Sequence, residues 1–225
     1  MTPIATDVWH IEVPPLKAPG GVRIPLASTV IRTPTGVIVY SPGRFDDAQL
    51  GAIEALGEVS IIIAPNKSHH LYAGKAHERW PKAKLYGAPG LSAKRSDMKF
   101  DGELATGPLV DGIEVVVVNG VPRINEAVLF HRPTGTLVCA DWLFNITNPA
   151  NVLTRFALSI TGVNRCTLKQ SRVWGWTVKD KAAAAASRDQ IFGWPIQHVA
   201  PVHGEPVDVD RDHLKPVLRG PFKLA

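Results

Sequence analysis

The chain has 225 residues, with 25 Lys and Arg against 20 Asp and Glu, a formal net charge of +5 and 45% hydrophobic residues. That length supports one large domain or two small ones, and the apolar content excludes a disordered chain. Two cysteines, Cys139 and Cys166, exclude a disulfide framework and a four-cysteine zinc site, so any metal must rest mainly on His and carboxylate ligands. The cations are scattered and form no run denser than Lys94-Arg95, so no nucleic-acid partner is expected. Residues 1–13 carry Asp7, His10 and Glu12 and do not read as a signal peptide. No apolar run approaches the roughly 20 residues of a membrane-spanning helix. A cytoplasmic protein with reduced thiols and no membrane partner is expected.

In chain order, residues 8–13, 28–32 and 36–40 read as strands, the last two joined by the turn sequence Thr33-Pro34-Thr35-Gly36. Asp46 or Asp47 can cap a helix that runs through Leu56 and stops at Gly57. Residues 59–64 form a continuous apolar run, the pattern of a strand buried on both faces, and Pro65 ends it. A loop over 66–70 leads to a short helix over 71–80, terminated by Pro81. After a brief strand at 84–86, residues 89–112 are polar and punctuated by Gly and Pro, which predicts a surface excursion. Strands are predicted at 113–118, 127–131 and 136–140, the last two closed by a hairpin turn over 132–135. Helices follow around 152–160 and over 179–192, then a strand at 198–202. Early meanders, then strand–helix alternation, then strands again predict two sheets with helices outside, a four-layer αββα sandwich of mixed α and β structure spanning residues 1–225 as one domain. No glycine-rich phosphate loop follows any strand, which weighs against nucleotide binding.

Four positions share one topological description. His69 and His70 follow the strand at 59–64, Asp141 follows 136–140, and His203 follows 198–202. Side chains at strand ends on a common edge converge from distant sequence, and three imidazoles with a carboxylate suit Zn²⁺ or a similar divalent metal. Gly204 removes bulk beside His203. His10, His77, His131 and His213 are single histidines without partners and read as surface or packing residues. Trp174 and Trp176 can line a pocket mouth. Cys139 lies in an apolar strand and reads as an inert buried thiol. Lys67 and Arg155, Arg165, Arg172 and Arg188 read as solvated cations.

The strand, the His-containing loop, the short helix and the following Pro81, Ala83 and Tyr86 resemble the first metal-binding loop of the metallo-β-lactamase superfamily. That loop reads His-x-His-x-Asp-His. Laid on Pro65-Asn66-Lys67-Ser68-His69-His70, only the final His matches, with His69 at the Asp position. Residues 135–144, with Asp141 and Phe144, resemble the family's strand ending in Gly-Asp-x-x-Phe, and His203-Gly204 resembles its last His. The family's third-loop His falls here on Pro122, and Glu126 is the nearest metal-capable side chain. The resemblance therefore implies a divergent branch with a reduced metal site on His70, Asp141 and His203, with His69 and Glu126 as substitute ligands.

The chemistry it implies is metal-dependent hydrolysis of a small molecule, with an anionic substrate suggested by the positive balance and zinc as the metal. Metal-activated water would attack a carbonyl or phosphoryl centre. Two alternatives share the same residues. One is a non-catalytic relative that binds a metal or ligand, and the other is an iron-dependent oxidoreductase, since the family's fold also hosts diiron proteins.

Overall fold

The computed structural model describes residues 1–163, 168–210 and 214; Arg165, Cys166 and His213 lie outside the described residues. The first sheet contains β1 (Thr2–Ala5), β2 (Val8–Ala18), β3 (Val22–Thr33), β4 (Gly36–Tyr40), β5 (Val59–Ala64), β6 (Lys84–Gly87) and β7 (Gly102–Glu103), side by side in chain order. The second contains β8 (Gly107–Val110), β9 (Ile113–Val117), β10 (Ala127–His131), β11 (Thr136–Asn145), β12 (His198–Gly204) and β13 (Val207–Asp208), also as neighbours in sequence order. Hairpins make most pairs antiparallel, while β4–β5–β6–β7 and β11–β12 are parallel. Parallel pairs need crossovers. Those between β4 and β6 carry α1 (Asp47–Glu54) and α2 (Ala73–Arg79), and α3 (Leu91–Lys94) follows β6. The crossover from β11 to β12 carries α4 (Val152–Thr161), α5 (Arg172–Trp176) and α6 (Lys181–Phe192).

Strand alternation sorts the side chains into three buried layers. Between the sheets, Ile31, Ile38 and Ile63 meet Val115, Leu129, Val138 and Ala200. Outside the first sheet, Val30, Val39 and Ile62 pack under Ile53 of α1, Ala76 of α2 and Leu91 of α3. Outside the second, Val128, Phe130, Leu137 and Cys139 pack under Trp174 of α5 and Ala184 and Ile191 of α6. These are the four layers of an αββα sandwich, with strands apolar on both faces because both faces are covered.

Local chemistry explains most boundaries. Asp46 caps α1 and forms a reciprocal capping box with Gln49, while Asn151 and Asp180 cap α4 and α6. Three expectations change. The polar stretch 89–112 is no mere excursion, because it supplies α3 and the edge strands β7 and β8. The arm formed by β2 and β3 extends well beyond the predicted alternating cores, past paired prolines that alternation alone does not read as strand. Finally, β11 and β12 run on to Asn145 and Gly204, so Asp141 and His203 lie within strands and not after them.

The inner layer also holds polar groups. His10, Thr29 and Tyr40 form one cross-strand row, and Tyr40 Oη donates to the Ala127 carbonyl at 3.0 Å, tying the sheets together. Both His10 ring nitrogens and Thr29 Oγ1 are buried without partners. Burial lowers the His10 imidazole from 6.5 to about 4, with Glu205 opposing and the N-terminal amine assisting. The unfolded chain therefore binds a proton that the folded chain refuses between those values.

Two outcomes are expected. Stability is full above pH 6.5 and falls as pH drops toward about 4, by about 3 kcal/mol from this residue alone; urea unfolding of His10→Leu against wild type at stepped pH measures the difference. Gly204 has φ of +106°, and a Cβ there would overlap the Asn145 carbonyl. Gly204→Ala should therefore lose on the order of 3 kcal/mol or more, read from the shift in urea midpoint.

Candidate metal centre

The site is built on an irregularity between β11 and β12. Cys139 pairs with Pro201 and Phe144 with His203, so β11 takes five steps where β12 takes two. The surplus backbone bulges, and its amides lose the neighbouring strand as a partner. Glu126, fully buried just before β10, takes them up. Its Oε1 accepts from the Ala140 and Trp142 amides at 2.7 and 3.2 Å, and its Oε2 accepts from the Asp141 amide at 2.8 Å. Burial, with the Asp141 charge beside it, pushes the Glu126 carboxyl above its ordinary value, and the Ala140 and Asp141 N–H groups and Asn66 pull it down.

Asn66 joins this clamp to the loop after β5. Its Oδ1 accepts from the Ser68 and His69 amides at 2.7 and 2.8 Å, an Asx turn that sets the direction of the loop. Its Nδ2 donates to Asp141 Oδ2 at 2.9 Å and to Glu126 Oε2 at 3.3 Å. The other oxygen, Asp141 Oδ1, is left facing the two histidines. Burial works against the Asp141 charge, but His69 and His203 outweigh it and hold the carboxyl well below the usual carboxylate range.

Three atoms converge at this point. His203 Nε2 lies 3.1 Å from His69 Nε2 and 3.2 Å from Asp141 Oδ1, and His69 Nε2 lies 3.4 Å from the same oxygen. His203 Nδ1 sits 3.0 Å from the Pro25 carbonyl, which can only accept, so Nδ1 donates there and Nε2 is the ring atom turned toward the triangle. His69 Nδ1 is 3.1 Å from Ser41 Oγ, and Ser41 holds a left-handed backbone, φ 52°, to reach it. Phe144 stacks flat on the His203 ring, centroids 4.7 Å apart, and fixes its plane. Two imidazole nitrogens and a carboxylate oxygen at this spacing form a donor set that can take a cation in place of the shared protons. A tetrahedral ion with bonds of about 2.0–2.1 Å separates its ligand atoms by about 3.3 Å, which is the spacing of this triangle. Outer hydrogen bonds that orient each imidazole are the usual support of such a site. The donor set thus fits one divalent ion.

Of the five residues expected from sequence, the structure brings together His69, Asp141 and His203, which form the only such group of ligand atoms among the described residues. His70 stands apart from that group: its Nδ1 accepts from Arg95 Nη1 at 2.8 Å, and Arg95 is clasped by Asp97. Burial, followed by Lys94 and Arg95, pushes the His70 imidazole below its ordinary value. Glu126 stands behind Asp141 with both oxygens committed to N–H donors. Lys67 Nζ donates to the Pro122 carbonyl. Asn66, Ser41 and Arg95 went unsingled by sequence reasoning; only Asn66 carried a signal, an Asn opening a loop directly after a strand. Beside the triangle opens a cavity of about 520 Å³, its walls mostly apolar and drawn from the β2–β3 arm, α4 and α5, with Trp174 and Arg123 among them.

No family model matches the chain, and no curated protein matches it. Solved structures do. A metallo-β-lactamase from Pontibacter korlensis is 16% identical with a TM-score of 0.65, covering 98% of each chain. The metallo-β-lactamase FIM-1 from Pseudomonas aeruginosa, in its mono-zinc form, is 12% identical with a TM-score of 0.63, covering 97% of this chain and 92% of that one. A flavodiiron core from Synechocystis is 12% identical with a TM-score of 0.64, covering 96% of this chain and 59% of that one. The chain has the metallo-β-lactamase fold, in a sequence far diverged from these structures.

Replacing Glu126 with Gln sets an NH₂ group against backbone N–H donors. Glu126→Gln should lose about 2–4 kcal/mol of stability and weaken metal binding about 10–100-fold, measured by urea unfolding and by competition with a fluorescent chelator.

Proposed function

We propose that the protein is a metal-dependent hydrolase that holds one zinc ion on His69, Asp141 and His203 and acts on a small, largely apolar molecule. One observation carries this reading: three ligand atoms lie within 3.4 Å of one another, with the far side of both imidazoles and of the carboxylate already engaged. Three protein ligands leave a coordination position open, as catalytic zinc sites require. When bound, such an ion lowers the pKa of its water toward neutrality and polarises a carbonyl or phosphoryl oxygen.

The chain's own residues do the rest. Asp141 stays ionised and supplies the negative ligand, with the Asn66 amide donating to its other oxygen. The Pro25 carbonyl and Ser41 hold the imidazoles in orientation, and Phe144 prevents His203 from turning. The apolar cavity walls displace water beside these charges, which strengthens every electrostatic interaction at the site. Arg123 at the cavity wall suits an anionic group on the substrate. Ending the family's His-x-His-x-Asp-His pattern at His69 puts Ala64 and Asn66 at its first two His positions, which supports one ion and not two. A cytoplasmic setting, with Cys139 reduced, belongs to the same reading.

The donor set favours one second reading. Two histidines and one carboxylate also hold non-haem iron in oxidative enzymes, and one similar structure is a flavodiiron core. Hydrolysis ranks first because it needs no electron source.

Protein purified without chelator should carry about one equivalent of zinc by elemental analysis, as a three-ligand site predicts. His69→Ala, Asp141→Ala and His203→Ala should each lose it, while His70→Ala retains it. Hydrolysis in a panel of esters, lactones and phosphoesters should stop with chelator and return with zinc. Undiminished metal in all three ligand variants would overturn the site, iron with oxygen consumption would favour the oxidoreductase, and bound zinc without turnover would identify a non-catalytic relative.

A further inference from the structure

Exposed apolar side chains occur on α4, α5 and the β2–β3 arm, the segments that wall the cavity. α4 turns Thr154 and Leu158 inward, and Arg23 of the β2–β3 arm donates its amide to Thr154 Oγ1 at 2.9 Å. The outer side of α4 is apolar as well: Val152 is 80% exposed, Phe156 63% and Ile160 54%. A helix apolar on opposite sides suits apolar surroundings on both. Leu153 meets the arm's tip at Gly20 and Gly21, which joins α4 to that tip. Leu16, Leu71 and Val173 are exposed while also lining the cavity, and Trp176 of α5 is exposed nearby in sequence. Exposed apolar side chains concentrated on linked segments mark a surface that meets a partner.

The charges on these same segments select the partner. Residues 13–27 and 142–179 contain no Asp or Glu. They do present Lys17, Arg23, Arg155, Arg172 and Lys179, all exposed. A second copy docked by two-fold symmetry would set these cations against their own counterparts, with no carboxylate in either segment to answer them. An anionic lipid surface answers both components at once, since the acyl boundary takes the apolar side chains and the phosphates take the cations. We propose that this face docks on anionic bilayers, with α4 lying in the interface and the cavity mouth opening toward the lipid through Leu16, Leu71 and Val173. No helix among the described residues is long and apolar enough to cross a membrane, and surface docking needs none. The sequence-based expectation of no membrane partner addressed only spanning segments. The proposal is independent of the metal chemistry.

Flotation of the full chain with vesicles tests it, using phosphatidylcholine alone and phosphatidylcholine mixed equally with phosphatidylglycerol. Wild type should float with the mixed vesicles and be released by high salt. Phe156→Gln/Ile160→Gln should lower the partition coefficient about ten-fold or more, and Lys17→Gln/Arg155→Gln should weaken binding to the mixed vesicles while leaving the thermal melt unchanged. Failure of wild type to float at low salt would overturn the proposal, as would undiminished binding by the Phe156→Gln/Ile160→Gln variant. A wild-type dimer in light scattering that this variant disperses, without vesicle binding, would assign the face to a second copy instead.

Discussion

The buried carboxyl of Glu126 is the constraint on which the rest of the site depends. The β11 bulge strips three successive amides of strand partners, and unsatisfied buried N–H groups cost about 1–3 kcal/mol each. One side chain from the residue that precedes β10 gathers all three. That makes the bulge a defined shape and not a defect, and it aims Asp141 out of the sheet plane toward the two histidines. Asn66 then transmits the same constraint to a loop on the other sheet, because its amide bridges Glu126 and Asp141 while its oxygen holds the turn carrying His69. A loop from one sheet, a bulge on the other and the end of β12 are thereby referred to a single point. The Pro25 carbonyl closes the arrangement by fixing His203 from the β2–β3 arm.

This construction separates the polar work from the apolar. Oriented polar atoms line one wall of the cavity, where each has a protein partner behind it. The remaining walls come from the arm, α4 and α5, whose side chains supply volume and exclude water without adding ligand atoms. These are also the segments that carry the exposed apolar and cationic face. The wall that shapes the substrate space and the surface that meets the surroundings are therefore built from the same two segments.

Much of this was legible beforehand, for definable reasons. Residues 59–64 read as a doubly covered strand because every position is apolar or small, and alternation with both phases apolar is possible only when both faces are buried. Asp46 reads as a helix cap from sequence, since cap chemistry is local. The extent of β11 and β12 was not legible, because Asp141 and His203 are polar and end an apolar run whether or not the backbone continues. The resemblance set His70 beside Asp141 and His203 with His69 as a substitute, and the structure reverses that choice, grouping His69 with them. Adjacent loop residues point in different directions, and which one faces inward is set by the Asn66 turn together with Arg95, which engages His70 from a different helix end. Glu126 was noticed as metal-capable, yet its oxygens are consumed by amides that become free only when β11 bulges.

By itself, then, the sequence determined the layer architecture and the kind of ligands available, because burial patterns, caps and the shortage of cysteine are local or compositional properties. It also contained the two acid-free segments, visible to anyone counting charges, though not their meeting on one face. Tertiary structure alone decided which three of five candidate residues share a point, which carboxylate faces the site and which braces it, and where the cavity opens. Those outcomes depend on hydrogen bonds between residues such as Asn66 and Asp141, or His203 and Pro25, that are far apart in the chain and become neighbours only when the sheets close on one another.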